Sequence, residues 1–289
     1  MIFAKNRSEG LLIEIEETAK QMGRIGILTM AALAGCQTVQ TTGGGVVGVD
    51  RPQTMTTLIS SEEFNEKAAA EYRQTLQEAS NKGQLNQNPA QVERVRRIAN
   101  RLIPSTGAFR PDAPRWGWEV NVITSNEVNA WCMPGGKIAV YTGLLAKLGP
   151  TDDELAAVMG HEISHALREH SREQYSQALA QGILINILGA VAGASAASQS
   201  AGQTVLDVML NLPHSRTDET EADRIGVELA ARSAYDPRAA VSLWEKMGRL
   251  GGSKPPQFLS THPSDESRMA DLRGYADKVL PLYESAPRR

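Results

Sequence analysis

Cysteine is nearly absent. Cys36 and Cys132 are the two in 289 residues, too few for a disulfide framework, so the fold must rest on a packed core. There is no long run of either charge, and 30 Lys and Arg against 33 Asp and Glu leave a formal net charge of -3, which argues against nucleic acid as a partner. No apolar run is long enough to cross a bilayer: the stretch from Ile25 to Ala34 is too short, and the Ala, Gly and Ser-rich stretch from Ile183 to Ala201 is interrupted by Asn186. Histidine is missing from the first 160 residues, then occurs five times, at His161, His165, His170, His214 and His262. What remains is the balance of a folded protein, 41% hydrophobic and 22% charged, long enough for one large or two small domains.

The apolar stretch closes on Leu33-Ala34-Gly35-Cys36. That is the layout of a signal peptide ending in a bacterial lipobox, in which Cys36 is acylated and becomes the first residue of the mature chain. Glu14, Glu16 and Glu17 do not suit the positive start of such a signal, whereas Met22-Gly23-Arg24 does, so residues 1–21 are expected to precede the true translation start. Polar, Gly-rich Gln37 to Gly45 is expected to be a tether with nothing to pack. The predicted division is 1–35 as a cleaved signal segment, 36–60 as a flexible tether and 61–289 as one folded domain. By resemblance to common lipoprotein sorting, Gln37 rather than Asp after the acylated cysteine implies the outer membrane. Acylation would leave Cys132 without an intramolecular mate.

Helices are predicted from Glu62 to about Ala79 and after Asn88, where Pro89 takes the first helical position and Val92, Val95, Ile98, Ala99 and Leu102 form one stripe. Trp118 to Ile123 alternates like a half-buried strand, and Asn129 to Met133 and Lys137 to Tyr141 flank a Pro134-Gly135-Gly136 hairpin turn. Thr151-x-x-Glu154 is a capping box, which starts a helix expected to reach about His170. Residues Ile183 to Ala201 are expected as a buried or loosely packed helical segment. Further helices are expected from Ser215 or Thr217, after Asp236-Pro237, and over Ser264 to Leu280.

His161-Glu162-Ile163-Ser164-His165 is an H-E-x-x-H motif on the capped helix. With five histidines and 33 acidic residues, roughly 0.01 such motifs are expected by chance. Residues four apart share a helical face, so both imidazoles can bind one ion, and Glu162 beside that face can act as general base. A catalytic zinc takes three protein ligands and keeps one open position. The best candidate for the third is Glu219 in Asp218-Glu219-Thr220-Glu221-Ala222-Asp223, with Glu221, His214 and His170 as alternatives. Asp223, four residues on from Glu219, could then hydrogen-bond the free nitrogen of a ligand histidine. His170, five past His165, is expected off the ligand face and solvated.

His161-Glu162-x-x-His165, the downstream Glu219-x-x-x-Asp223 and the segment Asn129-Ala130-Trp131-Cys132-Met133-Pro134-Gly135-Gly136 together resemble the HtpX-type gluzincin metallopeptidases, and within them the periplasmic lipoprotein branch of LoiP-like and BepA-like proteins. The resemblance covers most of residues 43–276. It implies an α+β, mainly helical metallopeptidase domain with a small sheet. It also implies one zinc on His161, His165 and Glu219, Glu162 as catalytic base, Asp223 in support, and Asn129 to Met133 as the edge strand along the cleft. An exposed edge would let an extended substrate add as a further strand, so unfolded polypeptide is the expected substrate. Similar proteins carry a histidine in the C-terminal segment, which makes His262 a candidate regulatory fourth ligand. His214 and Arg216 are candidates to stabilise the oxyanion. Cys132 is expected as packing, with a redox role as the alternative. The function expected is a lipid-anchored zinc metalloendopeptidase that clears misassembled envelope proteins in the periplasm. The rival is a chaperone or assembly factor that binds clients along the same strand with a latent or structural zinc. A metal-storage lipoprotein fits poorly.

Overall fold

Three helices begin on capping boxes, each satisfying two backbone N–H groups that a helix start leaves open, at about 1 kcal/mol per cap. Ser60 with Glu63 starts α1 (Ser61–Asn81), Thr151 with Glu154 starts α4 (Asp152–Leu167), and Ser215 with Asp218 starts α5 (Arg216–Arg232). Asn88 caps α2 (Pro89–Leu102), whose buried face is Val92, Val95, Ile98, Ala99 and Leu102. Each large aliphatic side chain of that stripe contributes roughly 1.5–3 kcal/mol by leaving water. The computed structural model describes residues 35–179, 213–250, 256–263 and 265–287. The predicted signal segment through Ala34, the stretch 183–201 and Ser264 lie outside the described residues.

The architecture is α+β and mainly helical. A three-stranded sheet has the order β3-β5-β4, with β3 (Glu119–Ile123) parallel and β4 (Ala130–Met133) antiparallel to the central β5 (Lys137–Tyr141). The β4–β5 turn needs left-handed backbone at Gly135 (φ 77) and Gly136 (φ 83), which glycine supplies without strain. After the sheet come α3 (Thr142–Leu148), α4 and α5, then α6 (Ala239–Arg249), the short α7 (Gln257–Thr261) and α8 (Glu266–Ser285). The core is formed where α4 and α5 cross. A Cβ on Gly226 would lie 2.9 Å from the His161 backbone nitrogen, and one on Gly160 would lie 2.9 Å from the Gly226 carbonyl oxygen. Two glycines therefore let the H-E-x-x-H helix touch the acidic helix backbone to backbone.

Two expectations need correction. Residues 36–60 are no flexible tether: β1 (Cys36–Val39) pairs antiparallel with β2 (Gln53–Thr56), and Val47, Val49 and Met55 are buried. The polar Thr41 and Thr42 hydroxyls, expected to find nothing to pack against, accept hydrogen bonds from the fully buried Arg168. The second correction concerns the length of α4, which ends at Leu167. Arg168 and Glu169 form a turn, with Glu169 in left-handed backbone at φ 52, and helical residues resume at 170–179.

Candidate metal centre

The two histidines of α4 point their Nε2 atoms at one another, 3.1 Å apart. Glu219 of α5 brings Oε1 to 3.4 Å from His165 Nε2 and Oε2 to 3.6 Å from His161 Nε2. His262, just past α7, places Nδ1 2.9 Å from Glu219 Oε1 and 3.2 Å from His161 Nε2. One donor atom from each of these four residues falls within 4.8 Å of the others. Glu162 stands beside the group, with Oε1 3.5 Å from His262 Nε2. Buried polar atoms normally find a partner, yet Glu162 Oε1 and Glu219 Oε2 have no hydrogen bond. Two inward Nε2 atoms and the Glu219 carboxylate are the donor set of a zinc site with three protein ligands, and zinc fits the residues present.

Burial is the first influence on every charge here. It pushes His161 below its usual range and, with the charge of His214 in second place, pushes His165 far below, so both imidazoles are neutral and ready for a metal. Burial pushes the Glu162 carboxyl up to about 7, although the positive charge of His262 and the Cys132 backbone amide work the other way. For Glu219 burial acts upward but His262 and His165 outweigh it, and the carboxylate is held well below its usual range. For His262 burial acts downward but Glu219 and Glu162 outweigh it, so its pKa rises.

Each of the two α4 histidines is oriented through its other nitrogen. His161 Nδ1 lies 3.0 Å from Asp223 Oδ1. Asp223 is held by Arg268 of α8, whose Nη2 donates at 2.9 Å, and Arg268 Nη1 also lies 2.7 Å from Glu219 Oε2 as an ion pair. The Arg268 guanidinium sits over the Trp244 ring of α6, 4.1 Å from its centroid, and Trp244 meets His161 edge-on. His165 Nδ1 lies 2.9 Å from His170 Nδ1, and His170 Nε2 lies 3.1 Å from Glu221 Oε2. His170 is fully buried, not solvated: the turn at 168–169 breaks the helical spacing on which that expectation depended. Glu221 faces away from Glu219 and accepts from Arg51 and Arg168; burial acts upward, but His170 and the two guanidiniums hold it down at about 2.

The remaining candidates divide. His214 is buried with its ring 4.1 Å from that of His165, and its Nδ1 has no partner. Arg216 is not in the site: its side chain is 89% exposed and its partner is Asp265, at 3.6 Å. The guanidinium beside the cluster is Arg268, which no local sequence signal distinguishes. Ala130, Trp131, Cys132 and Met133 form the sheet edge, with Asn129 just before it, but all five are at most 3% exposed, so the edge expected to be open is covered. Phe258 contributes to the cover, donating its backbone N–H to Val128 and stacking on His262 at 4.4 Å. Cys132 is 1% exposed, and burial pushes its thiol well up, which suits packing rather than redox chemistry.

Residues 89–276 match peptidase family M48. The mitochondrial metalloendopeptidase OMA1 of Arabidopsis thaliana is 42% identical over 151 residues, covering 52% of this chain and 30% of that protein. The mitochondrial metalloendopeptidase OMA1 of Bos taurus is 30% identical over 240 residues, covering 79% and 45%. The β-barrel assembly-enhancing protease of Escherichia coli is 33% identical over 170 residues, covering 56% and 35%. The chain thus spans less than half the length of each of these three relatives.

Proposed function

From a chain that belongs to peptidase family M48, a family that uses zinc, we propose a zinc-dependent metalloendopeptidase acting on unfolded or extended polypeptide. The observation that carries this reading is the buried Glu162 carboxylate, one oxygen without a hydrogen bond, beside the inward nitrogens of His161 and His165 and the carboxylate of Glu219. Zinc held by these three side chains supplies Lewis acidity, polarising a carbonyl and bringing the pKa of water to about 7.

The rest of the chemistry belongs to the chain. Glu162, its proton affinity raised by burial, takes a proton from the attacking water and returns it to the leaving amine nitrogen. Asp223 and His170 fix which nitrogen of each ligand histidine carries hydrogen, leaving both Nε2 atoms as donors. Tyr141 donates its amide to Asn129, so the Ala130 and Cys132 amides face away from β5; the first is capped by Asn129 Oδ1 at 2.9 Å. A substrate strand would pair there once the cover has moved.

His262 serves as the latch. It sits 4% exposed among the donors and against Glu162, occupying space a scissile peptide needs. His262→Ala is expected to cut unfolded casein faster with zinc retained, and unchanged or lost cleavage would remove the latch from the account. The catalytic claim is tested by Glu162→Gln in the same assay, with and without chelator. Loss of cleavage with zinc still bound supports it; persisting cleavage contradicts it, and client protection without cleavage by the unaltered protein would favour an assembly factor.

Leu33-Ala34-Gly35-Cys36 supports a lipid anchor at Cys36 and a periplasmic location, and Gln37 after it supports the outer membrane. The E. coli relative, a β-barrel assembly-enhancing protease, supports misassembled envelope proteins as substrates, while the mitochondrial relative from Arabidopsis thaliana is the more similar of the two at 42% identity. Among the described residues no helix is long and apolar enough to cross a membrane. Because Cys36 opens β1, the acyl chains would join the folded domain directly. Cys36→Ser should move the protein from the membrane fraction to the soluble fraction; unchanged fractionation would refute the anchor.

A further inference from the structure

The buried group His170, Asp218 and Glu221 lies outside the proposed ligand set, and its donor atoms also come within 4.8 Å of one another. It is not a second cation site. Glu221 Oε1 accepts from Arg51 Nε at 2.6 Å and Oε2 from Arg168 Nε at 2.9 Å, and Arg51 Nη2 lies 3.3 Å from Asp218 Oδ1. Two fixed guanidiniums already neutralise these carboxylates and would repel a dication.

Proton placement gives the group another role. The two Nδ1 atoms of His165 and His170, 2.9 Å apart, attract only if one carries hydrogen. A metal on His165 Nε2 puts that hydrogen on His165 Nδ1, which makes His170 Nδ1 the acceptor and His170 Nε2 the donor to Glu221, 3.1 Å away. One tautomer assignment satisfies the whole chain. Its far end is held by the N-terminal segment: Arg51 also makes a two-pronged pair with Glu173 at 2.9 and 3.0 Å, its carbonyl accepts from Arg168 at 2.8 Å, and Gln53 donates to Glu173 at 2.6 Å.

We infer that residues 41–53 are a strap that orients the zinc ligand His165 through Arg51, Glu221 and His170, so that docking of the strap and affinity for zinc are coupled. His170 and Arg51 are positioning residues, and the inference rests on the zinc centre proposed above. By linkage, whatever lifts the strap loosens the metal, and metal loss loosens the strap.

The test uses the full chain, with zinc affinity measured by chelator competition and ligand geometry by the visible absorption of the Co(II)-loaded protein. His170→Phe and Arg51→Met should each weaken zinc binding about 10–100-fold and shift the cobalt bands, as losses of a ligand's hydrogen-bond partner do. The double variant should be no weaker than His170→Phe alone, because Arg51 acts through His170. His170→Asn keeps an acceptor near the His165 Nδ1–H and should recover part of the affinity. Arg51→Lys, gentler on folding, should still weaken zinc several-fold, since a point charge cannot hold Glu221 and Glu173 together. Folded variants whose zinc affinity and cobalt spectrum match those of the unaltered protein would overturn the coupling, as would additive losses in the double variant. The zinc centre itself fails differently: the unaltered protein would bind no zinc, or Glu219→Gln would bind it as tightly.

Discussion

The two histidines of α4 are four residues apart on one helix, yet they are held from opposite ends of the chain. His161 leans directly on a carboxylate, Asp223, which is locked by Arg268 in the C-terminal helix. His165 leans on a second imidazole, His170, and reaches its carboxylate, Glu221, one residue later, with Arg51 of the N-terminal segment behind it. The C-terminal arm is short and almost dry, Arg268 being 7% exposed at its side chain, whereas the Arg51 side chain is 33% exposed. A short dry arm resists deformation. A longer, half-solvated arm is the one that solution conditions can release.

The largest effect should come from breaking the dry arm. Arg268→Met takes from Asp223 its guanidinium partner and leaves a buried charge uncompensated, a loss of about 3–5 kcal/mol, to be read from denaturant unfolding with zinc removed. Gly226→Ala strikes both arms together, because the added Cβ would press on the His161 backbone; about 1–3 kcal/mol of destabilisation is expected in the same measurement. Asp223→Asn preserves the volume but weakens the acceptor for His161 Nδ1, and should lower zinc affinity about 10–100-fold in chelator competition.

The smallest effect, confined to the N-terminal arm, is set by pH. Burial pushes the Glu173 carboxyl up, but Arg51 and Gln53 beside it outweigh burial and hold it below the usual range. A carboxyl whose pKa is lower in the folded than in the unfolded chain stabilises fully above its unfolded value, about 4.3, and less as pH falls through its folded value. Amide exchange in residues 41–53, corrected for its intrinsic pH dependence, should therefore accelerate as pH drops below about 4, before that of α2 does. Simultaneous acceleration in both would dissolve the distinction between the arms.

What the sequence announced was local. The Thr151 capping box, the Asn88-Pro89 start and the Gly135-Gly136 turn lie within four residues of the structure they set, and the helices and hairpin begin close to where they predict. The H-E-x-x-H spacing needs only helical geometry to bring two imidazoles together. His170 was hidden because its placement depends on a two-residue break that passes through left-handed backbone at Glu169, a non-glycine residue that carries no such signal. Arg51 and Arg268 were hidden because they meet their carboxylates across 170 and 45 residues of chain, contacts no periodicity encodes. Residues 37–45 were misjudged on composition: Thr41 and Thr42 serve the buried Arg168 rather than solvent. The buried edge strand was equally out of reach, since it packs against α1 and α4, and Phe258 of α7, more than a hundred residues downstream, bonds to Val128 just before it.

X-ray absorption at the zinc edge on the purified full chain addresses the central claim most directly. One zinc per chain is expected, with two imidazole nitrogens and carboxylate oxygen at about 2.0–2.2 Å, and with loss of that oxygen donor in Glu219→Ala. A sulfur neighbour at about 2.3 Å, or a spectrum indifferent to Glu219, would contradict it.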